Sequence, residues 1–315
     1  MMNIGIDMMG GDYAPLEAVK GLARFLSTQH SDVLIHCIGN EVELAPLIQE
    51  HGIDTGKIKL VHAADTIGYH EHPTKALKEK TQSSIAIGFQ LLATGAIDAF
   101  ISAGNTGAMM VGVFYSIKAI EGVLRPTIST VIPKVQGGYG LILDVGLQAD
   151  CKPENLLQNA ILGSIYAQNI LEIEQPSVGL INIGEEEGKG NLLAQATYPL
   201  LKENQQINFV GNIEGRDILI NKADVMICDG FTGNVVLKLA ESVHDIVKRR
   251  NIQDEHFERF NFESYGGVPV LGVSKPVIIG HGISSSTAFV NMIRIASRMI
   301  STSFTEKIQS SFIAG

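Results

Sequence analysis

Short apolar runs alternate with longer amphipathic stretches along almost the whole of this chain. That alternation restricts the folds open to it more than any other feature. Strand-like runs fall at Asn3–Asp7, Val33–Ile38, Ile58–His62, Ile97–Ser102, Thr127–Ile132, Leu141–Val145, Val178–Ile183, Ile207–Val210, Ala223–Cys228 and Val277–Ile279. Helical patterns lie between them. Pro15-Leu16-Glu17-Ala18-Val19 opens one, with proline near the first turn, where a missing N–H costs little. Asn234–Arg250 is the clearest, because Val236, Leu239, Val243 and Val247 recur at three- and four-residue spacing. Such alternation builds a mostly parallel sheet with helices on both faces, so the expected architecture is a three-layer α/β/α fold. Ligands of these sheets gather at the carboxyl ends of the strands, and the glycines of this sequence concentrate there too. Residues 1–315 read as a single α/β unit, with two lobes around one cleft as a variant of it. Residues 249–264 read as a polar surface connection.

Composition narrows function by exclusion. With 45% hydrophobic and 18% charged residues, the chain can bury a large core and is not disordered. A net charge of −9 argues against general nucleic-acid binding, which needs a basic face against phosphates. No apolar run reaches the roughly 20 residues of a membrane-spanning helix. The longest, Ala108 to Ile117, is cut off by Lys118. The N-terminus runs straight into Asn3-Ile4-Gly5-Ile6-Asp7 without a signal-peptide pattern. Cys37, Cys151 and Cys228 lack C-x-x-C spacing and are odd in number, so a reducing cytoplasm is expected rather than a disulfide framework.

Four glycine-rich turns each follow a strand: Met9–Asp12, Ser102–Gly107, Gly184–Asn191 and Asp229–Asn234. Glycine lets backbone N–H groups approach a ligand, and the following helix points its positive end at it, so together these turns suit an anion. Nucleotide signatures fail. A dinucleotide fingerprint needs G-x-G-x-x-G after the first strand, and Met8-Met9-Gly10-Gly11-Asp12 does not supply it. Gly184 to Gly190 lacks the P-loop spacing and its magnesium-binding Ser/Thr, and its three glutamates would repel a triphosphate.

Individual residues admit two readings. Lys189 is suited to hold phosphate or a developing oxyanion, or is a solvated loop lysine. Asp229 either orients and deprotonates hydrogen phosphate or caps the helix after it. Asn234 is an amide donor to a carbonyl oxygen or a polar first-turn residue. His281 is a ligand contact or a packed histidine. His70-Glu71-His72 lacks further ligands at metal spacing and reads as a surface loop. Cys228, beside Asp229, reads as a small buried core residue rather than a nucleophile. There is also an internal echo. Ile97–Gly107 aligns with Ala223–Gly233, both beginning near Asp and ending in G-x-T-G. Convergent turn chemistry and two related half-sites both account for it.

Taken together, Asp7–Asp12, Ser102–Ala108, Leu143–Gly146 with Asp150–Pro153, Asn182–Asn191, Asn212–Asp217, Asp229–Asn234, Tyr265-Gly266-Gly267 with Pro269, and His281-Gly282 resemble the phosphate acyltransferase family of bacterial phospholipid synthesis. The resemblance implies transfer of a fatty acyl group from acyl carrier protein to inorganic phosphate. The acyl phosphate product would feed a membrane glycerol-phosphate acyltransferase. It implies a fold similar to phosphotransacetylase and the isocitrate/isopropylmalate dehydrogenases, and a cytoplasmic homodimer with no cofactor and no metal. Catalytic roles fall to Lys189, Asp229 and Asn234. The substrate-binding set is Asp7, Gly10, Gly11, Asp12, Lys80, Ser83, Ser84, Ser102, Gly104, Asn105, Thr106, Gly107, Glu185, Gly188, Thr232, Gly233 and His281. Three departures stand out. Asp144-Val145-Gly146-Leu147-Gln148 replaces the common D-L-G-A-N, and Lys78 stands where Arg often precedes the K-x-x-S-S run. The stretch from Glu241 to Tyr265 is shorter than in many members and charged, which bears on peripheral membrane contact. The rival readings are a same-fold enzyme acting on acetyl-CoA or a small hydroxy acid, and a non-catalytic carrier-protein docking partner.

Overall fold

The computed structural model describes residues 1–28 and 32–313. The chain forms two compact units, Met1–Ala119 with Phe262–Thr305 and Ile120–Asn261 with Glu306–Gly315. The first segment carries β1 (Met2–Asp7), α1 (Leu16–Thr28), β2 (Val33–Gly39), α2 (Glu41–Glu50), β3 (Ile58–His62), α3 (Pro73–Glu79), α4 (Ser84–Thr94), β4 (Ala99–Ser102) and α5 (Thr106–Ser116). The second unit follows with β5 (Thr127–Pro133), β6 (Tyr139–Leu143), α6 (Pro153–Asn169), β7 (Ser177–Asn182), α7 (Leu192–Glu203), β8 (Asn208–Glu214), β9 (Val225–Ile227), α8 (Gly230–Arg249) and α9 (Glu255–Glu258). The chain then returns to the first unit with β10 (Val268–Leu271), β11 (Val277–Ile279) and α10 (Ser286–Ser301), and α11 (Phe304–Ile313) follows. Among the described residues no helix is long and apolar enough to cross a membrane.

Strand order is β3-β2-β1-β4-β11-β10 in the first unit and β5-β6-β9-β7-β8 in the second. Neighbours are parallel except β10 against β11 and β5 against β6. The expected α/β architecture with a mostly parallel sheet is therefore what forms. Central strands read as continuous apolar runs because both faces are covered, and Ile4, Ile6, Phe100, Ile101, Leu141, Leu143, Val225 and Ile227 are fully buried. Each such side chain contributes about 1.5–3 kcal/mol by leaving water.

Two elements differ from the sequence expectation. β10 pairs Val268 with Ile279 and Val270 with Val277, yet Gly266-Gly267 and Pro269 carry turn chemistry that conceals it. Helix α8 starts at Gly230 rather than Asn234, because Asp229 caps it by accepting from Thr232 N. The polar segment 249–264 is itself ordered. Asp254 caps α9, Phe260 is buried, and Arg259 stacks over the Tyr139 ring at 4.7 Å.

The internal echo goes deeper than its turns. Asp98 N donates to Asn3 O, and Asn3 N returns a bond to Asp98 Oδ2 at 2.8 Å. Asp224 N donates to Ser177 O, and Ser177 N returns a bond to Asp224 Oδ2 at 2.9 Å. Each aspartate thus ties its strand to the start of the parallel neighbour. The arrangements β2-β1-β4-β11-β10 and β8-β7-β9-β6-β5 then repeat strand for strand, including the antiparallel end pair.

Asp224 carries a further load in the second unit, since the buried Lys134 ammonium reaches its Oδ1 at 3.0 Å and Ala223 O at 2.7 Å. Burial works against ionisation of Asp224, but the Ser177 amide and hydroxyl and Lys134 outweigh it and hold the carboxyl below its ordinary 3.8. A depressed folded value stabilises the fold above the unfolded value, and the stabilisation is lost as pH falls through the folded one. Asp224→Ala should cost about 3–5 kcal/mol in urea unfolding at pH 7, because it strands a buried charge. The gap between wild type and Asp224→Asn should narrow as pH falls below 3.8.

Candidate active site

In the second unit the site grows from the carboxyl end of β6. Asp144 is fully buried there and accepts from the amides of Gly146 and Leu147 at 3.1 Å and of Gln148 at 2.7 Å. Burial pushes its carboxyl up from the ordinary 3.8, and these amides oppose the push. The first turn of α8 lies directly on this loop. Gly230 N donates to Gln148 O, and a Cβ at Gly233 would strike the carbonyl oxygen of Asp144. Only glycine permits so close a backbone approach. Asn234, one turn into the helix, donates from Nδ2 to Val145 O at 3.2 Å. A primary amide has two N–H bonds, so one remains for a ligand. Asp229 is half-buried and accepts from Thr232 N and Thr232 Oγ1, both at 2.8 Å. It is therefore the helix cap, and each of its oxygens keeps a second acceptor site.

Lys189 sits in the turn between β7 and α7. Asn182 closes that turn by donating to Lys189 O at 3.0 Å, and Asn212 Nδ2 secures it through Glu186 O at 2.9 Å. Asn191 caps α7 by accepting from Ala194 N. Glu185 pairs with Lys222 and Glu187 with Lys202, so two of the three glutamates are answered by lysines outside the turn. Lys189 is exposed and has no ion-pair partner among the described residues. Glu185 is thus placed as an anchor, and Gly188 lies at the open tip, where a Cβ would meet nothing. Loop and helix share a cavity of about 590 Å³, lined by Asn182, Gly190 and Asn191 from the loop and by Asp229 and Thr232 from the start of the helix. Cys228, which also lines it, is almost fully buried. Burial, with the charges of Asp229 and Asp144, keeps its thiol well above the ordinary 9.0.

In the first unit the corresponding turns enclose Asp7. This buried carboxylate accepts from Ser102 Oγ at 2.7 Å and Met9 N at 3.0 Å, and burial pushes it up while Ser84, Ser102 and the amides oppose. Gly104 N donates to Ser102 Oγ, and Gly10 passes so close that a Cβ would sit 2.5 Å from Asp7 Oδ2. Asp12 N donates to Gly282 O, which brings the first turn beside the one that holds His281. Asn105 caps α5 through Ala108 N and holds the 68–71 loop by its amide. Tyr69 in that loop donates to Ala103 O at 2.8 Å, and its hydroxyl is pushed up to about 12 by burial and the nearby Asp12 and Asp7. Lys80 is tied to Glu71 at 2.7 Å and to Thr66 O at 2.8 Å. Ser83 caps α4, whereas Asp12 and Thr106 stay exposed. Asp7, Ser102, Asn105 and Lys80 are therefore engaged in shaping the turns, and buried Ser84 is tied to Asp65 O through its backbone N–H.

The geometry adds residues that sequence reasoning did not single out. Asp144 carries the same signature as Asp229, an aspartate closing an apolar strand ahead of a glycine. Asn182 and Asn212 stand in quoted motifs, but their partners are distant in the chain.

The family described as Fatty acid synthesis protein matches residues 2–307. A phosphate acyltransferase from Dictyoglomus turgidum is 39% identical over 98% of this chain and 96% of its own length. One from Chlorobaculum tepidum is 43% identical over 95% of this chain and 98% of its own. The chain belongs to the phosphate acyltransferase family. It is an acyltransferase with phosphate and an acyl group as substrates. A phosphotransacetylase from Streptococcus pyogenes shares the fold, with a TM-score of 0.66 at 14% identity over 95% of this chain and 94% of its own. A branched-chain phosphotransacylase from Enterococcus faecalis does so at 0.62 and 15%, over 95% and 99%.

Within this member of the family, the glycines of the site do different work. Gly233→Ala should cost roughly 1–3 kcal/mol in urea unfolding, because backbone must move to admit the methyl group. Gly188→Ala should leave the urea midpoint unchanged.

Proposed function

We propose that the protein moves a fatty acyl group from the thioester of acyl carrier protein to inorganic phosphate, releasing acyl phosphate for phospholipid synthesis. One observation carries the reading: Lys189, exposed and without an ion-pair partner among the described residues, belongs to a turn that lines the same cavity as Asp229 and Thr232. A mobile ammonium beside backbone donors holds an anion, and the half-buried carboxylate of Asp229 orients that anion. A phosphate oxygen attacks the thioester carbonyl carbon. The C–S bond breaks, and the thiolate leaves with the proton that phosphate yields through Asp229. The second N–H of Asn234 polarises the carbonyl, and Thr232, Gly233 and Gly188 shape the site around it. Phosphate is already anionic at neutral pH and needs positioning more than activation, so no covalent intermediate is required.

In the first unit, Gly10, Gly11, Asp12, Gly104, Thr106, Gly107 and His281 contact substrate, on turns that Asp7, Lys80, Ser83, Ser84, Ser102 and Asn105 hold in shape. Carrier protein, acidic as a class, meets a local basic face, with Lys75, Lys78 and Lys80, or Arg294 with Arg298, as candidates. The protein works as a cytoplasmic homodimer, and its product passes to a membrane glycerol-phosphate acyltransferase.

Incubation of purified protein with acyl carrier protein thioester and phosphate, trapped with hydroxylamine, should yield the acyl hydroxamate only when phosphate is present. No hydroxamate would sink the reading. Lys189→Ala, Asp229→Asn and Asn234→Ala should each lower turnover about 10²-fold or more. Asp229→Asn keeps a capping oxygen, so the loss cannot be assigned to helix stability. Cys228→Ser should retain most of the activity. A stable acyl adduct on Cys228 formed without phosphate, with ping-pong kinetics, would overturn direct attack.

A further inference from the structure

The cavity of the second unit has more room than phosphate and a thioester need, and its remaining walls are apolar. Asp229 follows β9, the Asn182–Asn191 turn follows β7, and Gly215 with Ile218 follows β8. These three strands are neighbours in the order β9-β7-β8. Adjacent strands lie about 4.8 Å apart, so Gly215 is roughly 10 Å from Asp229 along the cavity. The rest of the lining includes Leu180, Ile181, Leu193, Ala194, Ile218 and Val236. Away from Asp229, which keeps acceptor capacity at the reacting end, the asparagines on the wall are engaged with neighbours. Asn182 spans Ile183 N and Lys189 O, and Asn191 accepts from Ala194 N. A slot with one available carboxylate at the reacting end and otherwise mostly apolar lining fits an aliphatic chain.

We propose that this slot holds the tail of the acyl donor, running from Asp229 across the ends of β7 and β8, and that Gly215 sets how long a chain it accepts. The assignment rests on the acyl-transfer reading above. Gly215 is the informative position. It lines the cavity at an exposed position, a Cβ there would meet no atom within 4 Å, and its backbone lies outside the left-handed region. A larger side chain is therefore admitted without strain at this exposed end of the slot, where it narrows the path of a long chain, while a short acyl chain ends before reaching it.

The test compares wild type with Gly215→Leu on carrier-protein thioesters of six and sixteen carbons. The ratio of kcat/KM for the long over the short chain should fall at least tenfold in the variant. An unchanged ratio, whether both substrates slow alike or neither slows, would overturn the assignment. A direct measurement covers a variant that fails to fold. Calorimetry of wild type with n-alkylphosphonates of four to twelve carbons should show affinity rising about fourfold per methylene until the slot is filled. Affinity independent of chain length would also overturn it. Wild type that binds the alkylphosphonates with this rise but makes no acyl hydroxamate would defeat the reaction and leave the slot standing.

Discussion

A carboxylate taken out of water at the end of a strand has to be met by donors, and much of this structure follows from how that need is answered. Leaving such a charge unmet costs several kcal/mol, while a hydrogen bond to a charged group returns about 1.5–3 kcal/mol. Asp144 collects three amides from the residues just after it. Those amides converge only if the loop from 144 to 148 takes one shape. The shaped loop then forms the seat for α8, which is why Gly230 and Gly233 must be glycines and why Asn234 reaches Val145 O. Asp7 does the same for the first unit with Met9 N and Ser102 Oγ.

Charge around the Lys189 turn is balanced by a different device. Three glutamates in a row would repel an anion, but Lys222 and Lys202 pair with Glu185 and Glu187. Exposed pairs of this kind add little to stability, on the order of 0–1 kcal/mol, so their value lies elsewhere. They neutralise the rim of the turn and leave Lys189 as a cation available to a ligand. The arrangement uses a rigid frame, with Asn182 and Asn212 fixing backbone, to present one mobile charge.

Legibility from sequence divided along the range of the interactions involved. Burial of both sheet faces writes itself into continuous apolar runs, so ten strands and the α/β class could be read from periodicity. β10 escaped because Gly266-Gly267 and Pro269 are strong local turn signals, and only its pairing with β11 makes it a strand. Lys189, Asp229 and Asn234 could be singled out because a charged or amide side chain at a glycine turn is a local pattern. The work of Asn212 could not, since its partner Glu186 is 26 residues away. Nor could the contact of Gly233 with Asp144, 89 positions apart, be inferred from either glycine turn alone.

The repeated strand order in the two units shows why one turn is the better candidate for chemistry than its counterpart. Ser102, Ala103 and Gly104 align with Cys228, Asp229 and Gly230, on strands anchored by the same pair of reciprocal bonds through Asp98 and Asp224. In the first unit the aligned position is Ala103, which has no polar side chain. The cap there is Asn105, whose amide is committed to the 68–71 loop. The hydroxyl of Ser102 is committed to Asp7. In the second unit the aligned position is a carboxylate that caps the helix and still keeps acceptor capacity, and the residue before it is an unreactive buried thiol. One scaffold therefore carries a turn whose serine and capping asparagine are consumed in holding shape and a turn that leaves a carboxylate unspent. The proposed reaction follows the unspent group, because only a side chain with capacity left after folding can take up a proton or orient a phosphate.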